Sequence, residues 1–427
     1  MKKKESVMKK VAVSHRLSVL VGVMLVGSST LLMAQAGSLD PTFGTGGIVT
    51  TPNTGAPVAI AIQSDGRILV AGESTSGEFP TLGLARYNTD GSLDSTFGTG
   101  GIVTDNSVSP AFAMTLQSDG KILAGAIKGA SLAVLRFNTN GSLDSTFGSG
   151  GIASFGQFGV FFSPITGGIA VETNATIVVA ATTHGFGVGV ILRLLTNGQL
   201  DTSFGTNGAV APVAIVNTLA LAAGGNILIA STSLMANGGA ARYDSNGSLD
   251  TTFGAAGQVP SLGPASAIAA LSNGKLLLAG TLVNAQPSVE GIPPQAFALV
   301  RYNSTGTIDA TFGIHGAAIT PFTGNGFSEA LALAVESNGD IVAGGQTGAE
   351  PPNFSDPSDF ALARYTSNGQ LDATFGTDGL VTTSFDNDVA FITALAIQSD
   401  GKIVAVGSNN PTQGSNPGFT LARYLSQ

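Results

Sequence analysis

The chain has 427 residues, with no Cys, no Trp and 59 Gly, and its formal net charge at pH 7 is −9. An acidic chain is repelled by phosphate backbones, which argues against nucleic acid and, for the same reason, against anionic membrane surfaces as partners. The lack of cysteine excludes disulfide bonds, so packing must stabilise a chain that is long enough to bury a large core.

The first 36 residues are predicted to be a secretory signal peptide. Six of the 18 basic residues and one of the 27 acidic residues lie here, followed by an apolar run at 17–33 and a small-x-small cleavage site at 34–36. The remainder then carries a net charge of −14. No Cys follows the site, which excludes a lipoprotein anchor, and no later apolar run is long enough to span a bilayer. A membrane anchor at 17–33 is the alternative. We expect an exported protein, periplasmic or extracellular.

From residue 38 onward the chain repeats one pattern of four predicted strands. In the first full repeat, strand a is AIAIQ (59–63), b is RILVAG (67–72), c is LARYN (84–88) and d is LDSTFGTGGIVT (93–104). The runs are short, apolar and rich in β-branched residues. Asp-Gly or Asn-Gly, typical of tight hairpins, separates a from b in five of the seven repeats. A Phe-Gly pair marks each d strand, with its phenylalanine at Phe43, Phe97, Phe147, Phe204, Phe253, Phe312 and Phe375.

Four antiparallel strands that recur every 49 to 63 residues predict an all-β fold, a seven-bladed β-propeller. A parallel β-helix is the alternative, but its coils do not need two hairpin turns in every repeat. We expect one domain at 37–427, whose chain begins with a d strand and ends with a c strand. The segment 38–50 should therefore pair with the last blade, beside 415–425, and close the ring without exposed sheet edges. The predicted blades are approximately 51–104, 105–154, 155–211, 212–260, 261–319, 320–382, and 383–427 plus 38–50, with the boundaries inside 154–230 left open.

Each c strand carries an arginine, and an aspartate follows eight residues later in the d strand. This spacing brings the two side chains together across a hairpin and predicts an ion pair in every blade. A motif that recurs in every blade is interpreted as scaffold and not as a catalytic or ligand site. The last pair can form only if the ring closes. The predicted structural pairs are Arg86 with Asp94, Arg136 with Asp144, Arg193 with Asp201, Arg242 with Asp250, Arg301 with Asp309, Arg364 with Asp372, and Arg423 with Asp40.

The motifs LDSTFGTGG, QSDGKI and LARYN together resemble the delta-60 repeat family of exported bacterial proteins. The resemblance covers residues 38–427, and its motifs are specific to the repeat. It implies a propeller-like exported protein and supplies no activity, ligand or catalytic residue.

The b–c and d–a connections vary in length and composition and should share one face of the ring, which is where a rigid scaffold usually carries its binding residues. Two groups of residues there are candidates for a site. Five carboxylates are candidate Ca²⁺ ligands, with a solvated acidic rim as the alternative: Glu350, Asp356, Asp359, Asp386 and Asp388. Four aromatic residues are a candidate binding patch, with a plug over the channel or core as the alternative: Phe155, Phe158, Phe161 and Phe162.

Residue types that carry catalysis are scarce. His184 and His315 are the two histidines after the signal, so no His cluster can bind a metal, and neither a G-x-S-x-G motif nor a P-loop is present. A channel carboxylate such as Glu329 is the remaining candidate for acid–base chemistry. The leading hypothesis is a secreted, monomeric, non-catalytic binding scaffold with a protein or glycan partner and no cofactor apart from the candidate Ca²⁺. The alternatives are a structural envelope or matrix protein and a metal-assisted hydrolase or lyase on the variable face.

Overall fold

A computed structural model of the chain shows that β-strands make up nearly all of its regular structure. The structure describes residues 35–156, 165–183, 189–232, 238–283, 295–322, 326–349, 357–385, 388–410 and 418–427. Within these ranges the chain forms 28 β-strands and a short 3-10 helix at Ala223–Gly225. No helix in the described part is long and apolar enough to cross a membrane. The all-β prediction is confirmed.

The strands fall into four sets, according to their place in the repeat. The a strands are β2 (Thr54–Ile62), β6 (Ala113–Leu116), β10 (Ile165–Val171), β14 (Thr218–Leu221), β18 (Ala265–Ala270), β22 (Gly326–Val335) and β26 (Val389–Ile397). The b strands are β3 (Ile68–Ser74), β7 (Ile122–Lys128), β11 (Ile177–Thr183), β15 (Ile227–Ser231), β19 (Leu276–Val283), β23 (Ile341–Ala349) and β27 (Ile403–Asn410). The c strands are β4 (Thr81–Tyr87), β8 (Ser131–Phe137), β12 (Gly189–Leu194), β16 (Gly239–Tyr243), β20 (Gln295–Tyr302), β24 (Ser358–Tyr365) and β28 (Phe419–Tyr424). The d strands are β1 (Ile48–Thr51), β5 (Ile102–Asp105), β9 (Ile152–Phe155), β13 (Ala209–Val210), β17 (Gln258–Pro260), β21 (Ala317–Thr320) and β25 (Leu380–Thr383).

Each repeat forms an antiparallel unit in which a, b, c and d pair in that order. Five units are separate four-stranded sheets: β2–β5, β6–β9, β10–β13, β14–β17 and β18–β21. The other two units, β22–β25 and β26–β28 with β1, are joined into one mixed eight-stranded sheet by a parallel bridge between Ser358 and Val389. We number the units repeats 1 to 7, from β2–β5 to β26–β28 with β1.

The N-terminal strand belongs to the last repeat. β1 runs antiparallel to β28, with Ile48 opposite Ala422 and Thr51 opposite Phe419. The a strand of each repeat contacts the a strands of its neighbours, and β2 contacts both β6 and β26. The segment 38–50 thus lies beside the C-terminal strand, where the sequence predicts it.

The hydrophobic core is divided into seven clusters, each between two adjacent repeats. The cluster between repeats 7 and 1, for example, packs Val404 and Leu421 against Val70 of β3. The phenylalanine of the Phe-Gly pair enters one of these clusters in every repeat and is at most 1% exposed. Burying one such side chain stabilises the fold by roughly 1.5–3 kcal/mol. The repeats are therefore held together by their mutual packing.

The d strands are shorter than the sequence predicts. In repeat 7 the residues from Asp40 to Gly47 form turns, and strand pairing with β28 begins at Ile48. Gly44 has a φ of +54°, and a Cβ there would lie 2.3 Å from Ile48 O, so the turn requires glycine. The Phe-Gly motif is a turn that precedes a strand of two to four residues, and not the middle of a long strand.

Candidate functional site

All seven repeats line one cavity, with a volume of about 580 Å³. Six of them do so through residues of their a strands, and repeat 2 through Phe112, which directly precedes β6. Small-molecule sites typically have volumes of roughly 300–1,000 Å³. None of the described residues that line the cavity has an ionisable side chain. The cavity can therefore offer shape, apolar surface and neutral hydrogen-bonding groups, but no general acid or base from these residues.

Seven equivalent positions form a ring in the cavity wall. Each position lies five residues before the residue that opens the a–b hairpin turn, which is Gln63 in repeat 1. We call these residues the cavity ring: Val58, Phe112, Gly167, Asn217, Ser266, Leu331 and Thr393. Phe112 and Asn217 directly precede their a strands, whereas Val58, Leu331 and Thr393 lie in the middle of theirs.

β-Bulges hold four members of the cavity ring out of the regular ladder. In β2, β18, β22 and β26 the pairing with the b strand skips one residue at this position. The skipped residues are Val58, Ser266, Leu331 and Thr393. A bulged residue has no ladder partner and bends its strand, which re-aims its side chain, and bulges are common beside functional sites. The bulges thus explain how the a strands turn these side chains to the cavity.

The polar and apolar residues of the cavity lie on different sides. Repeats 3 to 5 contribute Thr166, Asn217, Thr218, Thr232 and Ser266, whereas repeats 6, 1 and 2 contribute Leu331, Val58 and Phe112 to the ring. Asn217 is fixed by the hydrogen bond from its Nδ2 to Ala265 O, at 2.8 Å. Thr393 of repeat 7 lies between Leu331 and Val58 in the ring. Its hydroxyl donates to Val406 O at 3.2 Å, so this donor is already used within the protein and the apolar side gains little polarity from it.

The repeated arginines connect neighbouring repeats. Arg86 Nε donates to Asp94 Oδ2 at 2.8 Å, and its guanidinium lies 4.6 Å from the centre of the Phe97 ring. Its Nη1 donates to the carbonyl of Thr139, in repeat 2. The ion pair and the ring contact recur in all seven repeats. The hydrogen bond from the arginine Nη1 to a carbonyl of the next repeat also recurs in every repeat. In repeat 7 it is the bond from Arg423 Nη1 to Thr89 O in repeat 1.

The aspartates of these pairs are held in the ionised form. Burial acts to raise the pKa of Asp40, but hydrogen bonds from Thr42 and Lys402 and the charge of Arg423 lower the pKa to about 2. The pKa of Asp144 is lowered by the same kinds of contact, from Lys121, Thr146 and Arg136. A carboxylate that stays ionised cannot donate a proton near neutral pH, so these aspartates are unsuited to general acid catalysis.

The structure describes two of the five candidate calcium ligands. Asp359 lies in β24 and Asp388 directly precedes β26, and their segments meet where Ser358 N donates to Asp388 O at 3.1 Å. Glu350, Asp356 and Asp386 lie outside the described residues. In the described part of the chain, no group of three or more His, Cys, Asp or Glu residues could hold a metal ion. The calcium site stays a prediction.

One residue of the candidate aromatic patch is described. Phe155 ends β9 opposite Leu132, is 6% exposed and packs in the core between repeats 2 and 3. It belongs to the d strand and the core, and not to an exposed patch on a d–a connection. Phe158, Phe161 and Phe162 lie outside the described residues.

The two remaining candidates in the described part of the chain do not line the cavity. Glu329, in β22, accepts a hydrogen bond from Gln346 Nε2 at 3.0 Å and is not among the described residues that line the cavity. His315 lies in the turn before β21 with a φ of +54°. His184 is outside the described residues.

The cavity ring was not predicted from the sequence. A signal was available, because the seven ring positions carry seven different residue types once the repeats are aligned on the a–b turn. At the next position, five of the seven repeats have alanine. A variable column inside an otherwise uniform strand therefore marks the residues that face the cavity.

The repeats also identify the family. Residues 63–97, 117–147, 176–204, 225–253, 271–312, 336–375 and 398–427 match the family described as "Domain of unknown function (DUF5122) beta-propeller". The chain belongs to this family. The matched segments cover more than half of the sequence and support seven repeats of β-propeller type. The likeness to delta-60 repeats remains a resemblance between motifs. Among curated proteins, none matches the chain.

Solved structures with a similar fold include a catalytically inactive virginiamycin B lyase from Staphylococcus aureus with quinupristin. It is 12% identical, with a TM-score of 0.50 over 88% of this chain and 98% of that chain. A protein from Lactobacillus plantarum is also 12% identical, with a TM-score of 0.50 over 84% of this chain and 96% of that one. At this identity the similarity shows the fold alone.

Proposed function

We propose that the protein is an exported, non-catalytic binding module, built as a closed ring of seven blades. Its ligand enters from the side of the b–c and d–a connections and occupies the central cavity. The signal-like residues 1–36 support export, and the family supports the blade architecture.

Support for the closed ring comes from hydrogen bonds that pass from one repeat to the next without a gap. Arginine side chains donate from repeat 1 to repeat 2 and onward to repeat 7, and Arg423 returns the chain of contacts to Thr89 in repeat 1. In a second set, the glycine of the Phe-Gly pair donates to a turn carbonyl of the next repeat in six of the seven repeats, with Gly44 N to Asp90 O at 2.8 Å as the returning member. In repeat 6, Gly376 N donates to Ala36 O instead. A rigid ring is a suitable frame for a fixed cavity.

The observation that carries the binding function is the composition of the cavity wall. All seven repeats contribute to it, its volume is that of a small-molecule site, and its described residues are neutral. The ionisable residues that recur in the repeats are engaged in ion pairs of the scaffold instead. Binding without chemical conversion is the function that these groups can support.

A retention experiment tests this proposal. Residues 37–427 are immobilised and incubated with the low-molecular-mass fraction of yeast extract, and the retained molecules are identified by mass spectrometry. A Ser266→Trp/Thr393→Trp variant, which fills the cavity from two repeats, should lose the retained molecules. An Ile319→Trp variant is the control, because Ile319 is an exposed residue on the outer strand β21 of the same repeat as Ser266.

The proposal predicts that certain molecules are retained by the unmodified protein and by the control, and are released with unchanged mass. Molecules released in a chemically altered form would show an enzyme. Equal retention by the cavity-filling variant would show that the cavity is not the binding site.

A further inference from the structure

The cavity ring is the only position of the a strand at which each of the seven repeats carries a different residue type. The position two residues further along is Ile, Leu or Met in all seven repeats. Four of these residues, Ile60, Ile268, Leu333 and Leu395, also line the cavity and give it an apolar layer below the ring. If the ring only filled space, a few apolar residue types would suffice there as well, since Ile, Leu and Met suffice one layer below.

The variation in the ring is ordered around the cavity. Leu331, Val58 and Phe112 place large apolar side chains on repeats 6, 1 and 2. Across from them, Gly167 leaves space, while Asn217 and Ser266 add neutral polar groups. Thr218 and Thr232 add hydroxyl groups to that polar side, whereas the Thr166 hydroxyl donates to Val216 O at 2.7 Å. The cavity thus has an apolar layer, one apolar wall and one polar wall.

Charge decides which ligands such a cavity accepts. A buried ionised group is costly unless an opposite charge or several hydrogen bonds compensate for it. The described wall residues supply amide and hydroxyl groups and no charged partner. A neutral ligand avoids this cost, and its hydrogen-bonding groups find partners on one side only.

We propose that the cavity selects an uncharged amphipathic small molecule. Its apolar part, an aliphatic or aromatic group, packs against Val58, Phe112 and Leu331. Its hydroxyl or amide groups face Asn217 and Ser266. This inference rests on the proposed binding function and adds the chemical class of the ligand.

Two fluorescent probes that differ mainly in charge test the class of ligand. N-phenyl-1-naphthylamine is neutral, and 8-anilinonaphthalene-1-sulfonate carries a sulfonate on a closely related ring system. Residues 37–427 should bind the neutral probe saturably at one site and the anionic probe at least tenfold more weakly. The Leu331→Ser variant should weaken binding of the neutral probe about fivefold, because it removes apolar contact surface.

A Ser266→Lys variant gives a test by gain of function. A positive charge in the polar wall should improve binding of the anionic probe at least tenfold and reverse the preference. Ile319→Lys, on the outer strand of the same repeat, should leave both affinities unchanged. Circular dichroism and thermal melts establish that each variant is folded, and Leu331→Ser keeps the test valid if Ser266→Lys fails to fold.

The outcomes separate the two proposals. If the unmodified protein binds both probes equally well and Leu331→Ser weakens both, the cavity binds ligands but the inferred selectivity for neutral molecules is wrong. If neither probe responds to Leu331→Ser or Ser266→Lys, this inference and the assignment of binding to the cavity are both wrong.

Discussion

Arg423 and Asp40 are separated by 383 residues in the sequence, yet Arg423 Nε donates to Asp40 Oδ2 at 2.9 Å. Six other arginines make the same contact with an aspartate only eight residues away. Arg423 and Asp40 form this contact between the two ends of the folded region. Their side chains are 5% and 3% exposed. The last repeat is therefore completed by the beginning of the folded region.

Removing one partner of this pair should destabilise the protein strongly. Breaking a buried ion pair typically costs about 3–5 kcal/mol, because the remaining charge stays buried without its partner. We expect a loss of this size for Arg423→Met, from urea denaturation of residues 37–427. Arg193→Met is the matched control, since Arg193 and Asp201 are 14% and 15% exposed, and its loss should be smaller. A loss below about 1 kcal/mol for Arg423→Met would show that the terminal pair contributes little.

Acid should destabilise the fold through the paired aspartates. The pKa of Asp40 is about 2 in the folded protein and 3.8 as the unperturbed value. A lowered folded-state pKa contributes stability above pH 3.8, and this contribution is lost as the pH falls from about 4 to 2. Urea denaturation between pH 6 and pH 2 should show this loss, which should be smaller in an Asp40→Asn variant that is already less stable at pH 6. Asp119→Asn, at a side chain that is 56% exposed, is the control. An unchanged acid dependence in Asp40→Asn would contradict this explanation.

Pairing of β1 with β28 can be trapped covalently. Thr50 lies opposite Thr420 in the two antiparallel strands, and the chain has no natural cysteine to compete. A Thr50→Cys/Thr420→Cys variant should form an intramolecular disulfide on oxidation and melt at a higher temperature than its reduced form. A disulfide that closes so long a loop can raise the free energy of unfolding by roughly 5 kcal/mol at most. A Thr50→Cys/Thr382→Cys variant, with the second cysteine on β25 in repeat 6, should not cross-link. Equal cross-linking of the two variants would contradict the assignment of β1 to repeat 7.

Thermal melts can test the five candidate calcium ligands. A solvated acidic rim, the alternative to a calcium site, predicts the same melting temperature for residues 37–427 with calcium and with excess chelator. A rise with calcium that disappears in an Asp386→Asn/Asp388→Asn variant would instead establish a metal site on the variable connections.

Much of the fold could be predicted from the sequence because its signals are local. The Asp-Gly turns and alternating apolar runs predict the hairpins, and the spacing of eight between Arg86 and Asp94 places them opposite each other. The d strands were predicted too long, because the residues around Phe97 resemble a strand in composition, while the positive φ of Gly98, Gly100 and Gly101 makes this segment a turn. The bulges at Ser266 and Leu331 leave no local signal, because an extra residue in an apolar run changes neither its composition nor its length noticeably. The cavity ring depends on those bulges and on contacts between all seven repeats, so strand patterns alone did not reveal it.

The most direct test of binding in the central cavity uses the absence of natural cysteine. A Ser266→Cys variant of residues 37–427 places a single thiol in the cavity wall, and its rate of alkylation by N-ethylmaleimide is measured with and without saturating N-phenyl-1-naphthylamine. The proposal predicts that the bound probe slows alkylation at position 266 at least tenfold and leaves the rate unchanged in an Ile319→Cys variant. Equal alkylation rates at position 266 with and without the bound probe would contradict binding in the cavity.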